Sequence, residues 1–280
     1  MKKENDIVIT VLGAAGKMGR RITEKLYQRN YQLLLCEKGA GLESLRQRGF
    51  IPTSQEEAVP ASDVIIMAIP DRILEPTSFQ VVPLMKPGSI LIYLDATVPY
   101  FGKVAFREDC TFVATHPCHP PLFGDEETQE ARQDFFGGIA KQDIVIALIG
   151  GQEEKLKLAQ QICEEFFAPV NRTYRITLEH MALLEPGMAE VIAVPVTFLL
   201  KEALEEVVKK GVPREAALAF LLGHVRIDLA ILLGGADIQF SDACQVALKR
   251  GYELLVKPDW RKALERDVLQ AIAREMIEKS

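Results

Sequence analysis

The apolar positions of this chain follow two different rules, one in each half. In the first half, short runs of consecutive aliphatic residues alternate with stretches whose apolar positions recur every three or four residues. The runs are Ile7–Leu12, Tyr31–Cys36, the stretch Ser62–Pro70, Ser89–Leu94, Thr111–Thr115 and Ile144–Ile149. A strand that is apolar on both sides must be covered on both faces, as in a parallel sheet packed between helices. Between the first two runs, Lys17 to Arg29 reads as a helix with Met18, Ile22 and Leu26 on one face. The pattern predicts an α/β domain with a mostly parallel sheet over residues 1–172.

Beyond about Val170 the strand pattern stops. Thr177 to Lys210 predicts a long helical stretch, broken or kinked at Pro186 and Pro195, because proline lacks the helical donor. Gly211-Val212-Pro213 ends it. Helices are expected over Arg214–Leu233, over Ser241–Arg250 with Ser241 as N-cap, and from Trp260 onward. Residues 173–280 are therefore expected to form an all-α domain. Val191–Leu204 and Ala216–Leu233 are apolar around much of their circumference, more than one small α/β domain covers. A homodimer through the helical half is the expectation.

Composition narrows the class. With 48% hydrophobic residues in 280, the chain has enough apolar side chains for a sizeable core. A net charge of −6 argues against a nucleic-acid partner, which needs clustered positive charge. The five cysteines are odd in number and lack CxxC spacing, which favours a reducing compartment over a disulfide framework. The polar start has no signal-peptide pattern, and apolar runs such as Val191–Leu200 are short for a bilayer. A cytoplasmic protein without a membrane partner is expected.

The loop Gly13-Ala14-Ala15-Gly16-Lys17-Met18-Gly19 stands between the first strand and the first helix. Glycines there permit a tight turn, backbone approach to a pyrophosphate and close helix–strand packing, with the helix N-terminus facing the phosphates. This is the dinucleotide loop of a Rossmann domain. Glu37 ends the second strand, where a carboxylate accepts from ribose hydroxyls and repels a 2′-phosphate. NAD is therefore expected over NADP, with Lys38, Arg46 and Arg48 working against that preference. The strand ends Ala68-Ile69-Pro70-Asp71 and Asp95-Ala96-Thr97 face the same site. The expected cofactor set is Gly13, Ala15, Gly16, Lys17, Met18, Gly19, Glu37, Ile69, Pro70, Asp71 and Asp95.

Chemistry beyond a cofactor points to few residues. In Thr115-His116-Pro117-Cys118-His119-Pro120-Pro121, prolines stiffen a loop carrying two of the chain's four histidines. Such imidazoles serve as acid/base groups, substrate clamps or metal ligands. No further Cys/His pair has matching spacing, so no metal is expected. Glu179, Glu190 and Lys201 follow at eleven-residue steps and share a helix face if Pro186 does not rotate it. Such a stripe offers acids, a base or magnesium ligands. His224 and Asp228 stand at i, i+4 and read first as a structural pair. The catalytic candidates are His116, His119, Glu185 and Glu190.

Gly13–Gly19, Ala68-Ile69-Pro70 and Lys86-Pro87-Gly88 resemble the β-hydroxyacid and 6-phosphogluconate dehydrogenase superfamily. Further motifs narrow the likeness: Thr115–Phe123, Asp134-Phe135-Phe136-Gly137-Gly138-Ile139-Ala140-Lys141-Gln142, Ala168-Pro169-Val170, Leu183-Leu184-Glu185-Pro186 and Pro258-Asp259-Trp260. Together they resemble the D-apionate oxidoisomerase family, with a 6-phosphogluconate-dehydrogenase-like C-terminal domain. The resemblance implies NAD-dependent oxidation of a small hydroxy or sugar acid, coupled to a carbon-skeleton rearrangement that yields a 3-oxo acid. It implies His116 and His119 on the Rossmann side of the substrate and Glu185 and Glu190 on the helical side. Dehydrogenation with NAD(P) and no rearrangement, and NAD(H) sensing without turnover, stand as alternatives.

Overall fold

Each continuous apolar run forms a strand: β1 (Val8–Leu12), β2 (Gln32–Cys36), β3 (Val64–Met67), β4 (Ile90–Tyr93), β5 (Thr111–Pro117) and β6 (Gln142–Gly150). The computed structural model describes residues 6–279. Among these residues a further strand, β7 (Val170–Arg175), completes a seven-stranded sheet of order β2-β1-β3-β4-β5-β6-β7. Pairing is parallel from β2 to β5 and between β6 and β7, while β5 and β6 are antiparallel.

Successive side chains in a strand point to opposite faces, and here both faces are buried. Ile9, Val11, Val64 and Ile66 pack with Ile22 and Leu26 of the first helix, Lys17–Tyr27, and with Phe166 and Phe167 of the helix Glu153–Phe167. Ile65, Met67, Leu91, Tyr93 and Phe112 pack on the other face with Leu74 and Met181. The alternation explains why these strands read as unbroken apolar runs.

Two sequence expectations need correction. Strand signals do not stop at Val170. β7 is an edge strand with β6 as its neighbour, and only Val170 and Thr173 are half-buried. Its polar residues face solvent, so it carries no apolar run. The division of the chain likewise falls later than 172/173. The first compact unit extends to Glu185 and includes residues 272–279; the second is Pro186–Ala271. The physical reason is that β7 pairs with the sheet, while Met181 and Ala182 of the helix Leu178–Ala182 are buried. Residues 272–279 add Ala273, which is buried, and Ile277, which packs on the sheet core.

The long helical stretch is real but interrupted. Leu178–Lys209 is long and apolar enough to cross a membrane by length and composition alone, which Val191–Leu200 by itself did not suggest. Its backbone leaves the helical region at Glu185, with φ −135° and ψ 111°, just before Pro186. A residue preceding proline is driven out of the α region by the ring. The break lies between Glu179 and the later Glu190 and Lys201, so the helix expected to carry all three is not continuous. The break falls inside Leu183–Ala193, a π-wound segment that runs on into Val194–Lys209.

In the second unit, Val194–Lys209 and Arg214–Leu232 are joined by an Arg214–Glu205 ion pair at 3.0 Å. Helix Asp242–Leu255 is capped by Ser241, which accepts from the Cys244 N–H at 3.3 Å. The final helix is Arg266–Lys279, preceded by a 3₁₀ turn at Trp260–Leu264.

The first helix lies so close to β1 that a Cβ on Gly19 would overlap the Gly13 carbonyl oxygen. Gly19→Ala is expected to lower unfolding stability by about 1–3 kcal/mol through overpacking, read as a lower urea midpoint at unchanged slope. A midpoint equal to wild type would show that this contact relaxes freely.

Candidate active site

The parallel register brings several strand ends to one level. Leu12 pairs with Met67, Met67 with Tyr93, and Tyr93 with Ala114. Gly13, Ala68–Asp71 and Asp95 therefore leave the sheet at one edge, level with His116 near the end of β5, the carboxyl edge where α/β sheets bind ligands.

At the end of β1 the chain turns through Gly13 at φ 78°, where a Cβ would strike the Ala68 carbonyl. The Gly16 N–H donates to the Gly13 carbonyl at 3.0 Å, and the first helix starts at Lys17. That helix has neither a side-chain cap nor an acidic residue in its first turn, which leaves its N–H groups available to a phosphate. Glu37 lies across the loop. Its Oε1 accepts from the Ala15 N–H at 3.1 Å and its Oε2 from the Lys38 N–H at 3.2 Å. A groove of about 490 Å³ runs from Gly13 and Gly16 past Glu37 to Ile69 and Pro70. This is a suitable size for a nucleotide moiety. Lys38 and Arg46 share its wall, whereas Arg48 is turned to Glu24 at 2.8 Å.

Not every expected cofactor residue lies on this groove. Met18 packs its side chain into the core, so it offers a ligand only backbone. Lys17 Nζ stands 3.5 Å from the centroid of the Phe136 ring. Asp71 and Asp95 do not line the groove; their charges bear on Glu185.

His116 is the better-defined histidine. Its Nδ1 lies 2.9 Å from the Pro117 carbonyl oxygen. A carbonyl only accepts, so Nδ1 carries a proton, and in the neutral ring Nε2 holds the lone pair. Nε2 is 3.7 Å from Glu185 Oε2. Asp95 Oδ1 accepts from the Thr97 N–H at 2.6 Å. One donor atom each from Asp95, His116 and Glu185 lie within 4.8 Å of one another. Burial, then the negative charges of Asp95 and Asp71, push the Glu185 carboxyl up to about 7. All three influences disfavour its anionic form. The backbone break at Glu185 turns this side chain out of the helical row of its neighbours.

His119 is held differently. Its φ is 61°, the left-handed region, at a strain of about 1–3 kcal/mol for a non-glycine residue. Its ring stands edge-on to His116 at 6.2 Å and to Phe136 at 5.8 Å. Desolvation pushes its pKa below the ordinary imidazole value, and the charges of Arg21 and Lys17 act in the same direction. The Phe136 carbonyl, 3.4 Å from Nδ1, opposes them.

Phe136 belongs to a loop that residue-by-residue reading did not single out. The Asp134 carboxylate accepts from the N–H groups of Phe136, Gly137, Ile139 and Ala140 at 2.9–3.2 Å. Arg21 and Lys25 donate to the carbonyls of Phe136 and Gly138. An aspartate shortly before two adjacent glycines was the available signal for such a turn.

Glu190 belongs to the second unit, whereas the Asp95–His116–Glu185 cluster is built wholly within the first. His224 stacks on Phe220 at 4.0 Å with Nδ1 2.8 Å from that residue's carbonyl, so its ring is committed to the preceding turn rather than to Asp228.

Residues 124–277 match the family Phosphogluconate dehydrogenase (decarboxylating) C-term. The chain is 39% identical over 277 residues to a D-apionate oxidoisomerase of Blautia hydrogenotrophica, covering 97% of this chain and 96% of that one. It is 40% identical over 270 residues to a D-apionate oxidoisomerase of Cupriavidus necator, covering 95% and 98%. Among solved structures, it resembles a semialdehyde dehydrogenase NAD-binding protein from Cupriavidus necator in complex with calcium and NAD. The TM-score is 0.93 at 39% identity, over 98% of this chain and 99% of that one. Nearly full-length likeness at this identity, together with the matched C-terminal family, shows that the chain belongs to the D-apionate oxidoisomerase family.

Proposed function

We propose that this protein oxidises a branched hydroxy acid with NAD and isomerises its carbon skeleton, with D-apionate, for which its relatives are named, as substrate. One observation carries this: an imidazole lone pair and two carboxylates converge at the ends of β4 and β5, on the same sheet edge as the dinucleotide loop.

Bound NAD supplies the hydride acceptor. Gly13 and Gly16 let the backbone approach its pyrophosphate, and Glu37 accepts from its ribose hydroxyls. Lys38 and Arg46 on the same wall moderate the discrimination against a ribose phosphate. Asp95, His116 and Glu185 face the carbinol next to the substrate carboxylate. They offer acceptors to the hydroxyl whose proton leaves as its carbon is oxidised. The acid then carries a ketone beside a tertiary carbinol. Loss of the tertiary hydroxyl proton lets one carbon substituent shift, with its bonding pair, to the ketone carbon. The tertiary oxygen becomes the new carbonyl, the former ketone oxygen regains a proton, and a 3-oxo acid results.

The exposed apolar residues Val194, Val196, Phe198, Phe220 and Leu222 of helices Val194–Lys209 and Arg214–Leu232 supply apolar surface for packing on a second copy of the chain, giving a homodimer. The five cysteines are all free thiols, which suits a reducing cytoplasm.

Incubation with NAD and D-apionate is expected to yield NADH by absorbance and a 3-oxo acid by carbon NMR. A 2-oxo acid would mean oxidation without isomerisation, and no NADH from any branched hydroxy acid would reject the proposal. His116→Ala should lower kcat by about 100-fold or more while the Kd for NADH stays within about 2-fold.

Glu37→Ser should shift the ratio of NADH to NADPH affinity by about 10-fold toward NADPH, measured by calorimetry. An unchanged ratio would remove the ribose assignment of Glu37. Light scattering should report twice the mass of one chain for wild type, and the mass of one chain for Phe198→Asp combined with Phe220→Asp. A monomeric wild type counts against the dimer.

A further inference from the structure

We infer that Asp95, His116 and Glu185 form a binding site for one divalent cation, of the kind that includes Mg²⁺ and Mn²⁺, at the end of β4 and β5. The site's existence is argued from the donor set. Its part in catalysis rests on the function proposed above.

Three independent parts of the chain bring electron pairs together here. The Nδ1–H of His116 donates to the Pro117 carbonyl at 2.9 Å, so in the neutral ring the lone pair is on Nε2, 3.7 Å from Glu185 Oε2. Imidazoles that ligate metals characteristically have their other ring nitrogen held by a carbonyl or carboxylate, which fixes tautomer and ring orientation. Asp95 is oriented by the Thr97 N–H at 2.6 Å, a contact outside the cluster. Glu185 is brought in by a backbone that leaves the helix at that one residue. The 3.7 Å between Nε2 and Oε2 is too long for a hydrogen bond through a proton on Glu185, whereas a cation between the two atoms fits it.

The spacing suits such a centre. Ligands about 2.1–2.3 Å from an ion lie about 3 Å apart when adjacent and up to about 4.6 Å apart when opposite. The His116–Glu185 distance of 3.7 Å falls between these limits, and the full set, within 4.8 Å, needs only a small contraction. One imidazole and two carboxylates form a mixed nitrogen–oxygen set, for which Mn²⁺ is a suitable probe. Three protein ligands leave coordination positions open to substrate oxygens.

That openness matches the chemistry. In the isomerisation, a tertiary alkoxide becomes a carbonyl while the neighbouring ketone oxygen becomes an alkoxide. One carbon–carbon bond breaks, another forms, and the migrating carbon carries the pair. No electron or proton is gained or lost overall in that shift. A cation chelated by both oxygens stays beside the negative charge as it passes from one to the other. The cation also holds the two C–O bonds on the same side, the geometry the migration requires.

The test is Mn²⁺ titration of the chelator-treated full-length protein, followed by electron paramagnetic resonance. One ion per chain is expected, with nitrogen coupling from an imidazole. His116→Gln should abolish the coupling and His119→Gln should preserve it. Asp95→Asn and Glu185→Gln should each weaken binding by about 10-fold or more, with unchanged circular dichroism. Absence of saturable binding to wild type overturns the site, as does binding without nitrogen coupling, neither of which depends on a variant folding. Conversion of D-apionate to the 3-oxo acid at an undiminished rate in metal-free protein also overturns it. Mn²⁺ binding with these signatures but no turnover supports the site while rejecting the proposed function.

Discussion

The parallel register of β3, β4 and β5 is the constraint on which the site depends. Tyr93 stands opposite Ala114, so Asp95, just beyond β4, and His116, near the end of β5, lie at the same level. A side-chain period of two makes any one-residue slip reverse every face at once. Here such a slip would exchange Ile65, Met67, Leu91 and Tyr93 with Val64, Ile66, Ile90 and Ile92 between two close-packed faces, each fitted to the other set. The burial of both faces therefore fixes the register, and the register fixes the distance between a carboxylate and an imidazole separated by 21 positions in the chain.

Glu185 completes the site by a different physical route. Its neighbour Pro186 excludes the α conformation at Glu185, so the helix begun at Leu178 breaks. The anchor before the break is Met181 and Ala182, fully buried on the sheet. A buried anchor followed by a forced turn holds a charged side chain at a low-dielectric edge, where Asp71 and Asp95 already repel its charge. The resulting electrostatic tension is what makes the trio a place for a positive centre or a proton in transit, and sets it apart from an ordinary surface ion pair.

A second rigid element supports the histidine loop. Asp134 gathers four backbone N–H groups, and the carbonyls this turn presents are taken up by Arg21, Lys25 and His119. The first helix thus serves the site twice. Its N-terminus lies at the dinucleotide loop, and its outer face steadies the loop on which His119 leans. Strain at His119 persists because these contacts over-determine the local backbone.

The sequence by itself determined the elements that rest on local or periodic signals. The apolar runs marked six of the strands, and the glycine loop and Glu37 marked residues that line one groove. It also singled out His116, His119 and Glu185, because proline-flanked polar residues are locally conspicuous. The edge strand β7 stayed hidden, since a strand with one neighbour and a solvated face carries polar residues such as Asn171 and Arg172. The expected continuous helix carrying Glu179, Glu190 and Lys201 at eleven-residue steps is interrupted at Glu185, where one residue leaves the helical region, a change that periodicity does not show. Only the tertiary structure assembled Asp95 with His116 and Glu185, because that grouping depends on register between strands. It also set the lone pair of His116, because a ring's tautomer is decided by the carbonyl that happens to lie beside it.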